Sequence, residues 1–302
     1  MKKYKIYNIL SRDEMEQLGT KEKFWFYDTD DVKKLFKIGR PNTGENWSEK
    51  VAFELAKLLN IPCAKYEFAK WNDKLGTIST SFTDGYLIHA NELLAYYDER
   101  YQKSSTYHAT DYILENVLEL IEVKLNTLDL PTDNIDSNEI KTPIELFIGY
   151  LVFDFWIANL DRHHENWGII LGKNVFKFAP TYDHAAGLGS KVSKEEAKKR
   201  LNSKDKNYRV KKFVTKAKSP FYSSNGKQLK TIEVIEILAQ TNIETTCYWI
   251  DKITSLSQEQ FKNILDRVPD IFMDEILKSF VLEMLNENKN RLLDIKTEYC
   301  DE

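Results

Sequence analysis

The hydrophobic pattern of the chain changes near residue 88, and this change limits the folds that the chain can adopt. Before that point, short runs rich in β-branched and aromatic residues are separated by turn-forming residues, which is typical of strands. In one stretch, residues 48–60, apolar residues instead recur at helical spacing. We expect Ser48 to be the N-cap of this helix, and Asn60 and Pro62 to end it. The predicted strands are residues 3–10, 24–28, 33–39, 65–71 and 76–82.

After that point, apolar residues recur every three or four positions in much longer segments, which predicts helices. A short strand pattern interrupts them at 167–171 and 175–180, joined by the turn-forming residues 172–174 (Gly172, Lys173, Asn174). The sequence therefore predicts an α+β chain, with a small β-rich N-lobe at 1–88 and a larger α-helical C-lobe at 89–302. The predicted helices include residues 91–101, 110–128, 143–160, 257–268 and 270–295.

The composition is that of a globular protein whose overall charge favours neither nucleic acid nor a membrane surface. Of the 302 residues, 42% are hydrophobic, which is enough for a sizeable core, and the formal net charge is -4. We expect no direct DNA binding and, without an apolar stretch near ~18 residues, no membrane span. The three cysteines, Cys63, Cys247 and Cys300, lack metal-ligand spacing, so the sequence predicts free thiols in a cytoplasmic protein.

Polar residues stand on both sides of the predicted hairpin. Asp161 and Asn166 precede its first strand in NLDRHHEN, and Asp183 follows its second strand in YDHAAGLG. Because a hairpin returns the chain to its starting edge, Asn166 and Asp183 could bind one cation. Phosphoryl transfer needs such a set, with a carboxylate to orient the attacking hydroxyl and oxygen ligands to hold Mg²⁺ against the phosphates. The step from Asp161 to Asn166 also matches the catalytic loop of protein kinases.

These segments resemble the HipA-type family of bacterial Ser/Thr kinases. The resemblance implies a bilobal protein-kinase-like fold that uses ATP and Mg²⁺ and transfers phosphate to a protein hydroxyl. It implies Asp161 as the catalytic base and Asn166 and Asp183 as metal ligands. It also implies Lys37 as the strand lysine on the phosphates, supported by Glu49 of the first helix. The resemblance extends to LFKIGR at 35–40, to TGENWSEKVAFELAKLLNIP at 43–62 and to NKNRLL at 288–293.

Two of these assignments have close competitors in the sequence. Lys33 and Lys34 lie beside Lys37 in KKLFK, and strand alternation does not choose among them without the family match. Glu54, deeper in the same predicted helix, competes with Glu49. Both assignments therefore depend on the resemblance.

The phosphate-covering loop that the resemblance implies has a poor glycine content. The stretch LGTKEKFWF at 18–26 holds a single glycine, and we expect Gly19, Thr20 and Lys21 at the loop tip, close to the nucleotide. Thr20 or the earlier Ser11 is a candidate autophosphorylation site, because a phosphate there would repel the phosphates of the nucleotide.

A protein substrate is the expected partner, and in some members of the family it is a translation factor or an aminoacyl-tRNA synthetase. Few residues precede Lys37, so a small antitoxin or a partner resembling the family's extra N-terminal subdomain is a further expectation. Residues 191–218 carry twelve Lys or Arg against three acids. That charge suits an acidic protein surface, a phosphoinositide headgroup or a tRNA-bound substrate protein.

Other functions stay open at the level of sequence. The string D-R-H-x-x-N also resembles the catalytic loop of phosphatidylinositol kinases, in which a histidine such as His163 assists proton transfer. The histidines and aspartates are also good ligands for a metal-dependent hydrolase. A non-catalytic, pseudokinase-like binding module is a third alternative. Among the histidines, His164 is expected to face solvent, and His184 to orient the loop.

Overall fold

The N-terminal part of the molecule is built on a six-stranded sheet in the order β1-β5-β6-β4-β3-β2. The structure, a computed structural model, describes residues 1–10, 14–15, 22–83, 85–98, 101, 110–133, 135–172 and 176–301. The predicted strands are confirmed, and the short β2 is an addition to them. The strands are β1 (Ile6–Asn8), β2 (Glu14–Met15), β3 (Lys23–Tyr27), β4 (Lys33–Ile38), β5 (Tyr66–Trp71) and β6 (Lys74–Thr80).

Helix α1 (Glu45–Leu58) packs on one face of this sheet. Lys37 of β4 pairs in register with Thr77 of β6, and both point toward α1 because side chains alternate along a strand. The neighbouring pair, Phe36 and Ile78, faces the other way into a smaller hydrophobic cluster. The sheet therefore presents polar side chains to α1 in the middle of an otherwise apolar interface.

The predicted start of this helix was wrong. It begins at Glu45, after Gly44, whose N–H donates to the carbonyl of Ser190 at 2.6 Å. Ser48 is buried inside the helix, and its hydroxyl donates to the carbonyls of His184 at 2.8 Å and Gly187 at 3.0 Å. A long-range contact, rather than a local cap, thus sets where the helix begins.

A second sheet, in the order β7-β8-β9, carries the predicted hairpin. Its strands are β7 (Tyr86–His89), β8 (Gly168–Leu171) and β9 (Phe176–Phe178), while the turn residues 173–175 lie outside the described part. Strand β7 was not predicted. It approaches β8 so closely that a Cβ atom at Gly168 would lie 2.1 Å from the carbonyl oxygen of Ile88, so only glycine fits at this position.

The remainder is helical, and α4 (Pro143–Trp156) is its central, almost fully buried element. As predicted, α4 begins at a proline, and Thr142 caps it through a capping box with Glu145. The other helices are α2 (Ala90–Tyr97), α3 (Leu114–Leu120) continued by a π-helical turn (Ile121–Leu125), α5 (Lys194–Asn202), α6 (Val210–Val214), α7 (Thr231–Thr241), α8 (Ile243–Thr254), α9 (Gln258–Asp266) and α10 (Glu275–Tyr299), with a hairpin of β10 (Lys218–Tyr222) and β11 (Gln228–Lys230) between α6 and α7.

The prediction of three free cysteines was wrong. Cys247 of α8 and Cys300, directly after α10, form a disulfide with their Cα atoms 5.8 Å apart, because the two helices pack side by side. Cys63 is free and buried. The cytoplasmic location, which was argued from free thiols, loses that support. Within the described ranges, no helix is both long and apolar enough to cross a membrane.

Candidate active site

Lys37 and Glu49 meet between the first sheet and α1. The ammonium of Lys37 lies 3.1 Å from Oε1 of Glu49, and the hydroxyl of Thr77 donates to the other carboxylate oxygen at 2.8 Å. The side chain of Glu49 is only 2% exposed, so this carboxylate is held by both neighbours in one orientation. The sequence analysis did not single out Thr77, although its position opposite Lys37 follows from the strand register.

The competing residues are engaged elsewhere. Lys34 forms an ion pair with Asp28 at 2.5 Å. Glu54 binds Lys50 at 2.6 Å and Lys57 at 3.3 Å on the far side of the helix. Of the lysine–glutamate pairs that the sequence left open, Lys37 and Glu49 are thus the pair in contact in the structure.

Asp183 lies on the other side of the same lysine. Its Oδ1 is 3.9 Å from the Lys37 ammonium, and its main-chain N–H donates to the hydroxyl of Tyr66 at 3.2 Å. Burial lowers the pKa of Lys37, but the carboxylates of Asp183 and Glu49 outweigh burial and hold that pKa well above its ordinary value. The lysine is therefore a permanent cation. Asp183 has a left-handed backbone with φ +57°, a conformation that Asp and Asn adopt more readily than most residues.

Asp161 and Asn166 occupy one tight loop between α4 and β8. The amide nitrogen of Asn166 donates to the main-chain carbonyl of Asp161 at 2.6 Å. Because only the nitrogen can donate, this bond directs the amide oxygen of Asn166 away from that carbonyl. The Asp161 side chain is 41% exposed, so its carboxylate is accessible from solvent.

His163 is placed beside Asp161, with Nε2 3.8 Å from Oδ1 of the aspartate. Its other ring nitrogen, Nδ1, accepts from the N–H of Glu165 at 3.2 Å, which assigns the ring proton to Nε2 when the ring is neutral. Burial lowers the pKa of His163 below its ordinary value of 6.5. The lowered pKa favours the neutral ring at neutral pH, with Nε2 close to the carboxylate of Asp161.

The other two histidines of this region are buried. His164 was expected to face solvent, which was wrong, because its ring lies in the interior and bonds the hydroxyl of Tyr101. His184 is fully buried, and burial holds its pKa well below 6.5, with the nearby Arg162 lowering it further. Across the described residues, no group of three or more His, Cys, Asp or Glu side chains is arranged to hold a metal ion.

A buried ion pair that the sequence analysis missed lies beneath this loop. Arg162, 1% exposed, donates through Nε and Nη2 to the two carboxylate oxygens of Asp154 at 2.6 and 2.9 Å. Asp154 also accepts from the side-chain amide of Asn159 at 2.9 Å. A signal was present in the sequence, because Asp154 is a carboxylate late in an otherwise apolar helix and such a group needs a buried partner.

The residues at the expected nucleotide loop cannot be placed. Gly19, Thr20 and Lys21, together with Ser11, lie outside the described residues. Their contacts with a nucleotide therefore stay a prediction from the sequence.

The remaining residues suit a metal-bound nucleotide. The amide oxygen of Asn166 and the carboxylate of Asp183 are the oxygen donors that Mg²⁺ prefers, and Asp183 is 36% exposed, so a cation can reach it. The ammonium of Lys37 places a positive charge 3.9 Å from the same aspartate. The chemistry of this donor set therefore fits Mg²⁺ together with ATP.

The fold and the placement of these polar residues define a protein of the bilobal, protein-kinase-like class. No family model matches the chain. In sequence, the chain is similar to the serine/threonine-protein kinase CtkA of Helicobacter pylori, with 28% identity over 178 residues, or 58% of this chain. The matched region spans about half of that relative, 52% of its length.

Two solved structures share the fold. The crystal structure of the H. pylori proinflammatory kinase CtkA superposes with a TM-score of 0.75 at 22% identity and covers 98% of both chains. The HipA protein from the Shewanella oneidensis complex of HipA, HipB and operator DNA gives a TM-score of 0.55 at 11% identity, over 97% of this chain and 68% of that one. The predicted resemblance to HipA-type proteins and the predicted fold class are therefore confirmed at the level of fold.

Proposed function

We propose that the chain is an ATP-dependent Ser/Thr protein kinase of the HipA type. One observation carries the proposal: Lys37 lies between Glu49 and Asp183, at 3.1 and 3.9 Å, as a lysine on the nucleotide phosphates beside a metal ligand would. The similarity to a named Ser/Thr kinase supports the same activity. In this proposal residues 1–88 bind ATP, and residues 89–302 hold the catalytic loop and the acceptor.

The residues have separate tasks in the proposed reaction. Lys37 neutralises the phosphates, and Glu49 keeps its ammonium in place. Asp161 orients the acceptor hydroxyl and accepts its proton, while His163, with Nε2 3.8 Å from that carboxylate, assists the proton transfer. Most of the rate enhancement then comes from positioning and electrostatics, as is usual for phosphoryl transfer.

Asn166 and Asp183 are the residues that would hold Mg²⁺ in this proposal. When bound, the metal would neutralise charge on the phosphates and orient them for in-line transfer. The carboxylate of Asp183 lies 3.9 Å from the Lys37 ammonium, so the metal ligand and the lysine would act on the same phosphates.

Replacing Asp161 with Asn tests the proposed base. We expect phosphoryl transfer to fall by about 10²–10⁴-fold, because the amide cannot accept the proton, while ATP binding stays close to wild type. Intact-mass spectrometry after incubation with Mg-ATP measures transfer, and calorimetric titration with a non-hydrolysable ATP analogue measures binding. Asp251→Asn is the control, since Asp251 is an exposed residue of α8 that pairs with Lys296 of α10 and is not one of the assigned site residues.

The outcomes of that experiment separate the candidate functions. Retained transfer in Asp161→Asn would contradict its assignment as the base. ATP binding without transfer in the wild type would leave the binding module, or a kinase with a lipid acceptor, as the better description. Absence of ATP binding would contradict the kinase proposal altogether. The geometry does not support the metal-hydrolase alternative, because the side chains of His164 and His184 are buried in the interior.

We further propose autophosphorylation and a protein partner. Thr20 and Ser11 remain the candidate sites, and peptide mapping of the phosphorylated wild-type protein identifies the residue modified. An acidic protein is the acceptor that suits the basic run at 191–218, with a translation factor or an aminoacyl-tRNA synthetase as the expected kind. HipA is described in complex with HipB, and an antitoxin-like partner for this chain is proposed by analogy.

A further inference from the structure

Arg162 connects the two segments that carry the candidate metal ligands. Its Nη1 atom donates to the main-chain carbonyl of Asn166 at 2.5 Å and to that of Tyr182 at 3.4 Å. Asn166 is itself one candidate ligand, and Tyr182 directly precedes the other, Asp183. A single guanidinium nitrogen thus binds the main chain beside both ligands.

Helix α4 determines the direction in which Nη1 points. Asp154 of α4 accepts from Nε and Nη2 of the same guanidinium at 2.6 and 2.9 Å, a bidentate pair. Nη2 also donates to the hydroxyl of Thr181 at 2.7 Å. Since the guanidinium is planar and these atoms are fixed, Nη1 can point in one direction only.

The remaining neighbours of the guanidinium are compatible with its charge. His184 contributes Nε2 at 3.1 Å from Nη2. The same ring nitrogen lies 2.9 Å from the hydroxyl of Thr181, so the guanidinium, the hydroxyl and the imidazole form one buried cluster. The carboxylate of Asp154, bound through both oxygens, supplies the negative charge beside the guanidinium. The charges at Arg162 are therefore balanced without any contribution from the two metal ligands.

We infer that Arg162, held by Asp154, is a positioning residue that sets the separation of Asn166 and Asp183 and thereby the preference of the site for Mg²⁺. The inference rests on the proposed function. Mg²⁺ demands near-ideal octahedral geometry at about 2.0–2.1 Å, whereas Ca²⁺ accepts more ligands in a flexible arrangement. A small change in the separation of the two ligands should therefore weaken Mg²⁺ far more than Ca²⁺.

Arg162→Lys tests this inference, because lysine keeps the charge but lacks the planar fork. We expect the dissociation constant for Mg²⁺, measured calorimetrically with a non-hydrolysable ATP analogue, to rise about 10- to 100-fold, as when other partners behind metal ligands are removed. The constant for Ca²⁺ should change much less, so the preference for Mg²⁺ over Ca²⁺ is lost. Asp154→Asn keeps the shape of the carboxylate and should shift the preference in the same direction.

Lys278→Met is the matched control. Its ammonium is also buried, 4% exposed, and binds Asp270 and Glu275 at the start of α10. This variant should lower the melting temperature without changing the preference between the two cations. A loss of stability alone therefore cannot imitate the expected result.

Two results would overturn the inference. The first is a folded Arg162→Lys protein that prefers Mg²⁺ over Ca²⁺ as strongly as the wild type does. The second applies if Arg162→Lys does not fold, and is an unchanged preference for Mg²⁺ in Asp154→Asn. Failure of the wild-type chain to bind Mg²⁺ with the nucleotide analogue would instead contradict the proposed function, and the inference with it. The wild-type measurement therefore distinguishes the two failures.

Discussion

At the scale of single residues, the site depends on groups that orient the charged side chains rather than on the charged side chains alone. Glu49 is 2% exposed and uses both of its oxygens, one for Lys37 and one for Thr77. A buried carboxylate that loses a hydrogen bond bears the cost of its own desolvation. Thr77 therefore contributes to the site although it carries no charge.

Thr77→Val, which keeps the shape of the side chain, should lower the free energy of unfolding by about 1–3 kcal/mol, because one buried oxygen of Glu49 loses its donor. We also expect a higher KM for ATP, since the carboxylate that holds Lys37 becomes less well oriented. Urea denaturation and steady-state kinetics measure the two effects. Thr80→Val, on the same strand but only partly buried, should stay within about 0.5 kcal/mol of wild type. Equal values for the two variants would contradict the role assigned to Thr77.

At the scale of secondary-structure elements, the loop that carries Asp161 and Asn166 is held by the contact between α4 and α10. The side-chain amide of Asn288 donates to the carbonyls of Phe155 and Trp156 at 3.0 and 3.1 Å, where α4 ends. The last carbonyls of a helix lack the usual partner four residues further on, and the Phe155 carbonyl also accepts from the N–H of Ala158 at 3.2 Å. The resemblance to HipA-type kinases includes Asn288, and the structure supplies the physical reason: Asn288 caps the helix that leads into the loop.

Asn288→Ala should remove the side-chain donor from both carbonyls, leaving Phe155 with only its bond from the N–H of Ala158 at 3.2 Å, and should lower the free energy of unfolding by about 1–3 kcal/mol. Phosphoryl transfer should fall as well, because the loop that carries Asp161 starts directly after α4. Chemical denaturation and the intact-mass assay measure both effects. The control is Asn202→Ala, whose amide donates to a helix carbonyl at an exposed position and should cost little. A stability loss of similar size in the two variants would argue against the capping role.

At the scale of the whole molecule, the charge is unevenly distributed. Twelve basic and three acidic residues give residues 191–218 a formal charge of +9, so the rest of the chain carries -13. Helices α5 and α6 pack on α10 through buried Ala197, Val210 and Val214, and most of their lysines are exposed. A concentrated positive surface on an acidic molecule favours an acidic partner at that surface.

Reversing two of these charges, in Lys198→Glu/Lys199→Glu, should reduce phosphorylation of an acidic test protein several-fold at low salt. The effect should shrink as salt rises toward 1 M, where the screening length is about 3 Å. ATP binding should not change, because neither lysine belongs to the site. Lys2→Glu/Lys5→Glu makes the same change of net charge elsewhere on the exposed surface. An equal reduction by both pairs would mean that total charge, and not this surface, controls the reaction.

The amino-acid sequence by itself determined those features that depend on neighbours in the chain. Hydrophobic period, turn residues and the proline at the start of α4 predicted the β-rich and α-helical parts, because these signals act over a few residues. The proximity of Asp161 and Asn166 was also determined by the local sequence, since one short loop carries both residues. For Lys37 and Glu49, the resemblance chose between close neighbours that local chemistry could not separate.

The tertiary structure alone decided the features that join distant parts of the chain. The start of α1 depends on a hydrogen bond to Ser190, and β7 exists because β8 supplies its partner. The disulfide joins cysteines 53 positions apart, which only the packing of α8 on α10 brings together. Arg162 binds Asp154 and the carbonyls of Asn166 and Tyr182 for the same reason. Long-range packing determines which buried charges meet, and this information is absent from local sequence patterns.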